Sequence, residues 1–195
     1  MTLDEAFANL PAFANLPTFA TRRMLIRPME ISDVEDIFEI KGDPEVREKY
    51  GTEPHSTLDE TRKFIEDRLA GYRKRDSMFW VYLLKGSAKV VGSCCFWHFD
   101  QESLCAEIGY ELNRMYWRQG ITSEALVPVL SYGFEMGLNR IEACPLAENE
   151  ASNRLLLKLG FRYEGTLRQR VRFGGRSIDQ CYYGLLKGGA ETAIA

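Results

Sequence analysis

Residues 116–135, YWRQGITSEALVPVLSYGFE, set a glycine between a polar, aromatic turn and a long apolar-periodic segment. The segment after it reads as a helix to about Met136 with Gly137 as its stop, and the run before the turn, LCAEIGYEL from Leu104, reads as a strand. A strand that enters a helix through Gly120 leaves the first backbone N–H groups of that helix without intrahelical partners. Those donors and the positive end of the helix dipole make a place for an anion, and a glycine lets a phosphate approach the backbone closely and permits a positive φ. A glycine that serves only the turn reads the same way from this stretch alone. Two residues complicate the helix. Pro128 loses the bond to the Glu124 carbonyl and is expected to kink it, while Glu124 suits the dipole but repels a phosphate unless it points away.

Upstream, RRMLIRP (residues 22–28) alternates as a strand does, and Ser32-Asp33 opens a short helix carrying Val34, Ile37, Phe38 and Ile40. A second helix runs from about Ser56 through Phe64, Ile65, Leu69 and Tyr72. Strand-like runs begin at Met78, Ala88 and Leu104, with hairpin turns near Gly86 and Asp100. Downstream, NRIEACPL reads as a strand. ENEASNRLLLKLGF reads as a helix capped by Asn149, with Ala151, Leu155, Leu156 and Leu159 on one face and Gly160 closing it. Two last strands flank GGR, a hairpin turn. The order βααβββαβαββ implies an α+β (mixed α/β) fold: one domain, with a twisted mixed sheet of about six to seven strands and helices on both faces.

The chain has 195 residues, 45% of them apolar and 27% charged, which suits one soluble domain. No apolar run approaches the roughly 18 residues of a membrane span. A net charge of −3 argues against a surface built to coat nucleic acid, and no nucleic-acid partner is expected. The five cysteines are odd in number and form no C-x-x-C, so reduced, buried thiols in a cytoplasmic protein are expected, with no metal. Residues 1–17 form an arm with AFANLP in tandem at 6–11 and 12–17; Asp4, Glu5, Pro11 and Pro17 do not make a secretory signal. Phe7, Phe13 and Phe19 are expected to dock in an apolar groove. Residues 18–187 are expected to be the domain and 188–195 a tail.

WRQGIT in a strand-to-helix turn, then NRIEA, NEASNRLLLKLGF and EGTLR, resemble the GNAT superfamily of N-acetyltransferases. TRRMLIRPMEISD, EIGYELNRMYWRQGITSEAL and LGFRYEGTLR look most like its ribosomal-protein-alanine acetyltransferase type. The likeness covers about residues 18–187. It implies that backbone N–H groups of Arg118, Gln119, Gly120, Ile121, Thr122 and Ser123 hold the pyrophosphate of acetyl-CoA. It also implies that pantetheine pairs like an extra strand beside Glu111 and Leu112, and that Asn149 contacts the cofactor arm. Thr122 replaces the small residue that usually ends the glycine signature.

Acetyl transfer to an amine needs a neutral amine, donors for the developing oxyanion and a proton for the departing thiolate. An α-amine with a pKa of about 8 is roughly a tenth neutral at pH 7, whereas a lysine at about 10.4 is neutral in under a thousandth of molecules. Strand alternation puts Glu107, Gly109 and Glu111 on one face, opposite Ala106, Ile108, Tyr110 and Leu112. Glu107 is the first candidate for the base, acting through a water, and Glu142 on the neighbouring strand is the second; His98 and Asp100 also offer themselves. Many family members use a tyrosine as the acid where this chain has Leu156. The subgroup resemblance implies Ser152 instead, although the carboxylate that partners such a serine is replaced by Val171. Arg168, Arg170 and Arg172 are expected to form a stripe on one strand face. Cys144 and Cys181 have no histidine motif beside them and are expected to pack. The expected activity is direct acetyl transfer to a protein N-terminal α-amine. Rivals are a small amine acceptor (polyamine, amino acid or antibiotic) and a CoA-binding module without catalysis; a homodimer is left open.

Overall fold

The computed structural model describes residues 15–190. Eight strands form one sheet in the order β1-β2-β3-β4-β5-β6-β8-β7. They are β1 (Phe19–Ala20), β2 (Met24–Pro28), β3 (Met78–Leu84), β4 (Val90–Asp100), β5 (Cys105–Leu112), β6 (Arg140–Ala143), β7 (Arg162–Phe173) and β8 (Arg176–Leu186). Between β2 and β3 lie α1 (Val34–Lys41), α2 (Pro44–Glu48) and α3 (Leu58–Arg73). Helix α4 (Ile121–Glu135) joins β5 to β6, α5 (Glu150–Lys158) joins β6 to β7, and α6 (Lys187–Ala190) follows β8. The mixed sheet with helices on both faces agrees with the expectation. The strand count exceeds it by the two-residue β1.

The apolar run MFWVYLL of β3 has no polar face because both of its faces are covered. Met78, Trp80 and Tyr82 join Leu126, Val129 and Leu130 of α4 in the larger core, while Val81 and Leu83 join Ile37 of α1 and Ile65 of α3 in the smaller one. Helix α4 lies close to the sheet at Gly133, where a β-carbon would come within 2.9 Å of the Phe96 ring. Pro128 sits inside α4 without ending it. None of the described helices is long and apolar enough to cross a membrane.

Every neighbouring pair in the sheet is antiparallel except β5 and β6. That parallel pair is short: Cys105, Ala106 and Glu107 match Arg140, Ile141 and Glu142, and then the strands part. The next five residues of β5 run on with β4 on one side and, among the described residues, no strand on the other. The sheet is therefore split at its centre, and the split positions the site.

Several local expectations change. Helix α2 was not read from sequence; Asp43 caps it by accepting a bond from the Glu45 N–H, and Pro44 starts it. Ala151 is exposed, so the buried side of α5 is Leu155, Leu156 and Leu159 alone. The arginine stripe is broken, because β7 slips register against β8 between Leu167 and Val171 with Gln169 at φ +54°. The Gln169 N–H donates to Asp179 in that bulge. Cys94, Cys95, Cys105 and Cys181 are buried and free, but Cys144 is only half-buried. Phe7 and Phe13 lie outside the described residues. Phe19 packs its ring 5.7 Å from Tyr132 and 6.2 Å from Trp80.

Candidate active site

The open edge of β5 is the first component. Asn113 N–H donates to the Val91 carbonyl at 2.8 Å, so alternation turns the backbone of Glu111 and Gly109 toward β4. Ile108, Tyr110 and Leu112 then present their N–H and C=O groups to the side that β6 has left. The Leu112 carbonyl is taken by the Trp117 indole N–H at 2.9 Å. Leu112 therefore offers a strand-like ligand its N–H and not its carbonyl. Glu111 offers neither, and this corrects its assignment to the cofactor edge.

The Glu111 side chain has another task. Its carboxylate is buried, accepts from Ser93 Oγ, and lies 3.0 Å from both Lys41 Nζ and Arg47 Nη1. Burial alone would raise this carboxyl, but the two cations outweigh it and hold it below its ordinary range. Arg47 ties α2 to β5. Two residues later the Lys49 carbonyl accepts from Asn149 Nδ2 at 3.2 Å, and Gly51 sits against Val171 and Leu146. Residues 47–51 therefore bridge the split sheet from β5 to the start of α5.

The N-terminus of α4 is the second component. Gly120 is its N-cap residue at φ +70°, a left-handed conformation that strains any residue with a β-carbon, and no side chain caps the helix. The N–H groups of Ile121, Thr122 and Ser123 are free of intrahelical bonds by position. Arg118 precedes them, also at positive φ. Glu124 points away from this end: it accepts from Thr21 Oγ1 at 2.7 Å, Arg23 N–H at 2.8 Å and Arg23 Nε at 2.6 Å. Partial burial would raise the Glu124 carboxyl, but these donors bring it down to about 2. Arg23 also donates to the Gln119 carbonyl, which fixes the turn from behind. The cradle fits a pyrophosphate: uncapped donors, a left-handed entry and a neutralised acid.

Candidate proton-transfer groups lie on both faces of β5. On one face, Glu107 is 20% exposed and its carboxylate is 3.0 Å from His98 Nδ1. Burial pushes the Glu107 carboxyl up, against the pull of His98. The His98 ring stacks on Trp97 at 4.4 Å. Glu142 lies opposite Glu107 in the register, but Arg140 Nε holds its carboxylate at 2.7 Å. Asp100 folds back to accept from Glu102, Ser103 N–H and Ser103 Oγ, so it serves its turn.

On the opposite face, Ser152 Oγ and the Tyr110 hydroxyl are 2.6 Å apart. Burial raises the Tyr110 phenol, so it stays protonated at neutral pH. Asn149 caps α5 by accepting from the Ser152 N–H, which fixes where the serine stands. Sequence reading looked for a carboxylate beside Ser152 and missed Tyr110; the available signal was its alternation position on β5, opposite Glu107. Cys144 is no rival nucleophile, since burial pushes its thiol up to about 12.

Comparison with known proteins shows the family to which this fold belongs. The model of the acetyltransferase (GNAT) domain matches residues 23–162. The chain is 36% identical over 168 residues to the uncharacterized N-acetyltransferase YoaA of Bacillus subtilis, covering 86% of this chain and 95% of that protein. It is 30% identical over 116 residues to the ribosomal-protein-serine acetyltransferase of Escherichia coli, covering 57% of this chain and 62% of the relative. A crystal structure of a GNAT-family acetyltransferase from Bacillus anthracis superposes with a TM-score of 0.78 at 31% identity, covering 88% of this chain and 99% of that one.

Proposed function

The chain belongs to the GNAT acetyltransferase family and is an N-acetyltransferase, and from that premise we propose that it acetylates a protein N-terminal α-amine at the split between β5 and β6. The observation that carries the reading is the pairing of groups across β5, with Glu107 and His98 on one face and Tyr110 and Ser152 on the other. The similarity to the E. coli ribosomal-protein-serine acetyltransferase supports a protein acceptor.

In this reading the backbone edge at Ile108, Tyr110 and Leu112 and the N-terminus of α4, from Arg118 to Ser123, hold acetyl-CoA. Asn149 contributes at the start of α5. Bound there, acetyl-CoA supplies an acyl group already activated as a thioester. Glu107, directly or through a water, takes the proton of the incoming amine, and its raised pKa improves it as a base. Ser152 holds a proton for the departing sulfur, with the Tyr110 hydroxyl behind it as donor. An α-amine suits this modest base because about a tenth of it is already neutral at pH 7. Glu142 is a reserve carboxylate once Arg140 lets it go.

The test is incubation with acetyl-CoA and peptides bearing free or blocked N-termini, followed by mass spectrometry of the acetyl position. Acetyl on the free α-amine alone is expected. Acetyl only on lysine side chains, or no acetyl on any peptide while small amines react, would overturn the acceptor.

A further inference from the structure

A cavity of about 470 Å³ opens beside the Glu107–His98 pair, between the C-terminal half of α3 and the end of β4. His98, Trp97, Asp67, Arg68, Lys74 and Asp76 are among its lining residues. Its size is that of a small-molecule site or of the first residues of a peptide.

Arg68 stands out in it. The guanidinium lies 5.0 Å from the Phe64 ring centre and 5.6 Å from that of Phe79. Its Nε is buried without a hydrogen-bond partner. No acid among the described residues pairs with it, although Asp67 is next to it in sequence; Asp67 instead pairs with Lys63 at 3.6 Å. The contrast with other half-buried cations is clear, since Arg23, Arg27 and Arg140 each hold a carboxylate. A guanidinium seated beside two nearly perpendicular aromatic rings, with no acid on its fork among the described residues, is placed for a planar anion.

We infer that the cavity takes an acceptor carrying a carboxylate close to its amine, with Arg68 binding the carboxylate and the amine turned toward His98 and Glu107. This rests on the acetyltransferase reading above; a peptide source narrows the proposed acceptor, and a free amino acid replaces it. The positive end of the cavity is Arg68, with Lys74 on the wall. The negative side is Asp76 with the partly neutralised Asp67, and Glu107 adjoins it through His98. A ligand with one charge of each sign matches both ends, whereas a polyamine meets Arg68 with like charge. Two sources offer this chemistry: a free amino acid, and a chain whose second residue is acidic.

The experiment measures KM and kcat for matched acceptors. The free amino acid pair is alanine and alaninamide; the peptide pair differs only by aspartate or asparagine at the second position. The same pairs are run on Arg68→Gln and Arg68→Lys, and comparing each ratio between proteins cancels the difference in amine basicity. In the source that the protein uses, the carboxylate form is expected to be favoured at least tenfold more in the wild type than in Arg68→Gln. The change should lie in KM, with Arg68→Lys in between. The peptide pair or the alanine pair, whichever carries the effect, names the source. A peptide ratio near one in the wild type, together with an alanine ratio that Arg68→Gln leaves unchanged, would overturn the inference while leaving the acetyltransferase reading intact. No acetyl transfer to any of the four acceptors would overturn the inference and the α-amine acceptor together.

Discussion

Glu107 and Tyr110 are three residues apart on β5, and the pleat sends them to opposite faces. The same arithmetic that picked Glu107 from the sequence also placed Tyr110 across from it, yet its partner was hidden. Ser152 is 42 positions away, and only the packing of α5 on β5 brings the two hydroxyls within 2.6 Å. Ser152→Ala is expected to lower kcat at least tenfold while leaving acetyl-CoA affinity near wild type, since the serine's assigned task is proton delivery. Loss of affinity with kcat intact, measured by calorimetry and steady-state kinetics, would move Ser152 from proton transfer to binding. Gly120 makes the complementary case. A β-carbon there would meet nothing closer than Arg23 Nη2 at 3.6 Å, so the constraint is the φ of +70° and the approach of a ligand. Gly120→Val should weaken acetyl-CoA binding by about tenfold or more and destabilise the fold by roughly 1–2 kcal/mol through left-handed strain. Unchanged affinity would refute the anion cradle.

The helices and strands owe their positions to a few polar ties as well as to apolar burial. Glu111 fastens β5 to α1 and α2 through Lys41 and Arg47. Glu111→Leu would strand two cations in a low-dielectric interior and is expected to cost about 3–5 kcal/mol, read by urea unfolding; a change below about 1 kcal/mol would show the cations find water. Glu124 fastens α4 to the entry of β2, and its depressed pKa sets a pH window. The bond's contribution is complete above the ordinary carboxylate value and fades as pH falls toward about 2. Its partly exposed partners limit the effect to about 1 kcal/mol. Glu124→Gln should therefore be less stable than wild type at pH 7, and the gap should close on acidification below about pH 4. Strands, long helices and caps were legible in the sequence because periodicity and terminator residues are local. The bulge at Gln169 was not, because Asp179 acts from ten residues away across the hairpin, whereas the short helix α2 carried a local signal in Asp43-Pro44 that went unread.

What the chain as a unit adds is the split in the sheet. Three parallel rungs join β5 to β6, and the strands then separate, leaving one edge open while residues 47–51 span the gap. The alternation of elements and the ordered motifs made the sheet, the helix N-terminus and the residues around it readable in advance. Where β6 leaves β5 and which backbone groups face the opening are outcomes of packing, and no local pattern carries them. The account stands most directly on Glu107 acting as a base in that opening. The measurement is the pH dependence of kcat for Glu107→Gln against wild type, with acetyl-CoA affinity followed in parallel. A loss of about a hundredfold or more near neutral pH is expected, shrinking as the pH rises and the amine loses its own proton, with acetyl-CoA bound as tightly as before. Wild-type turnover across the whole range would contradict it.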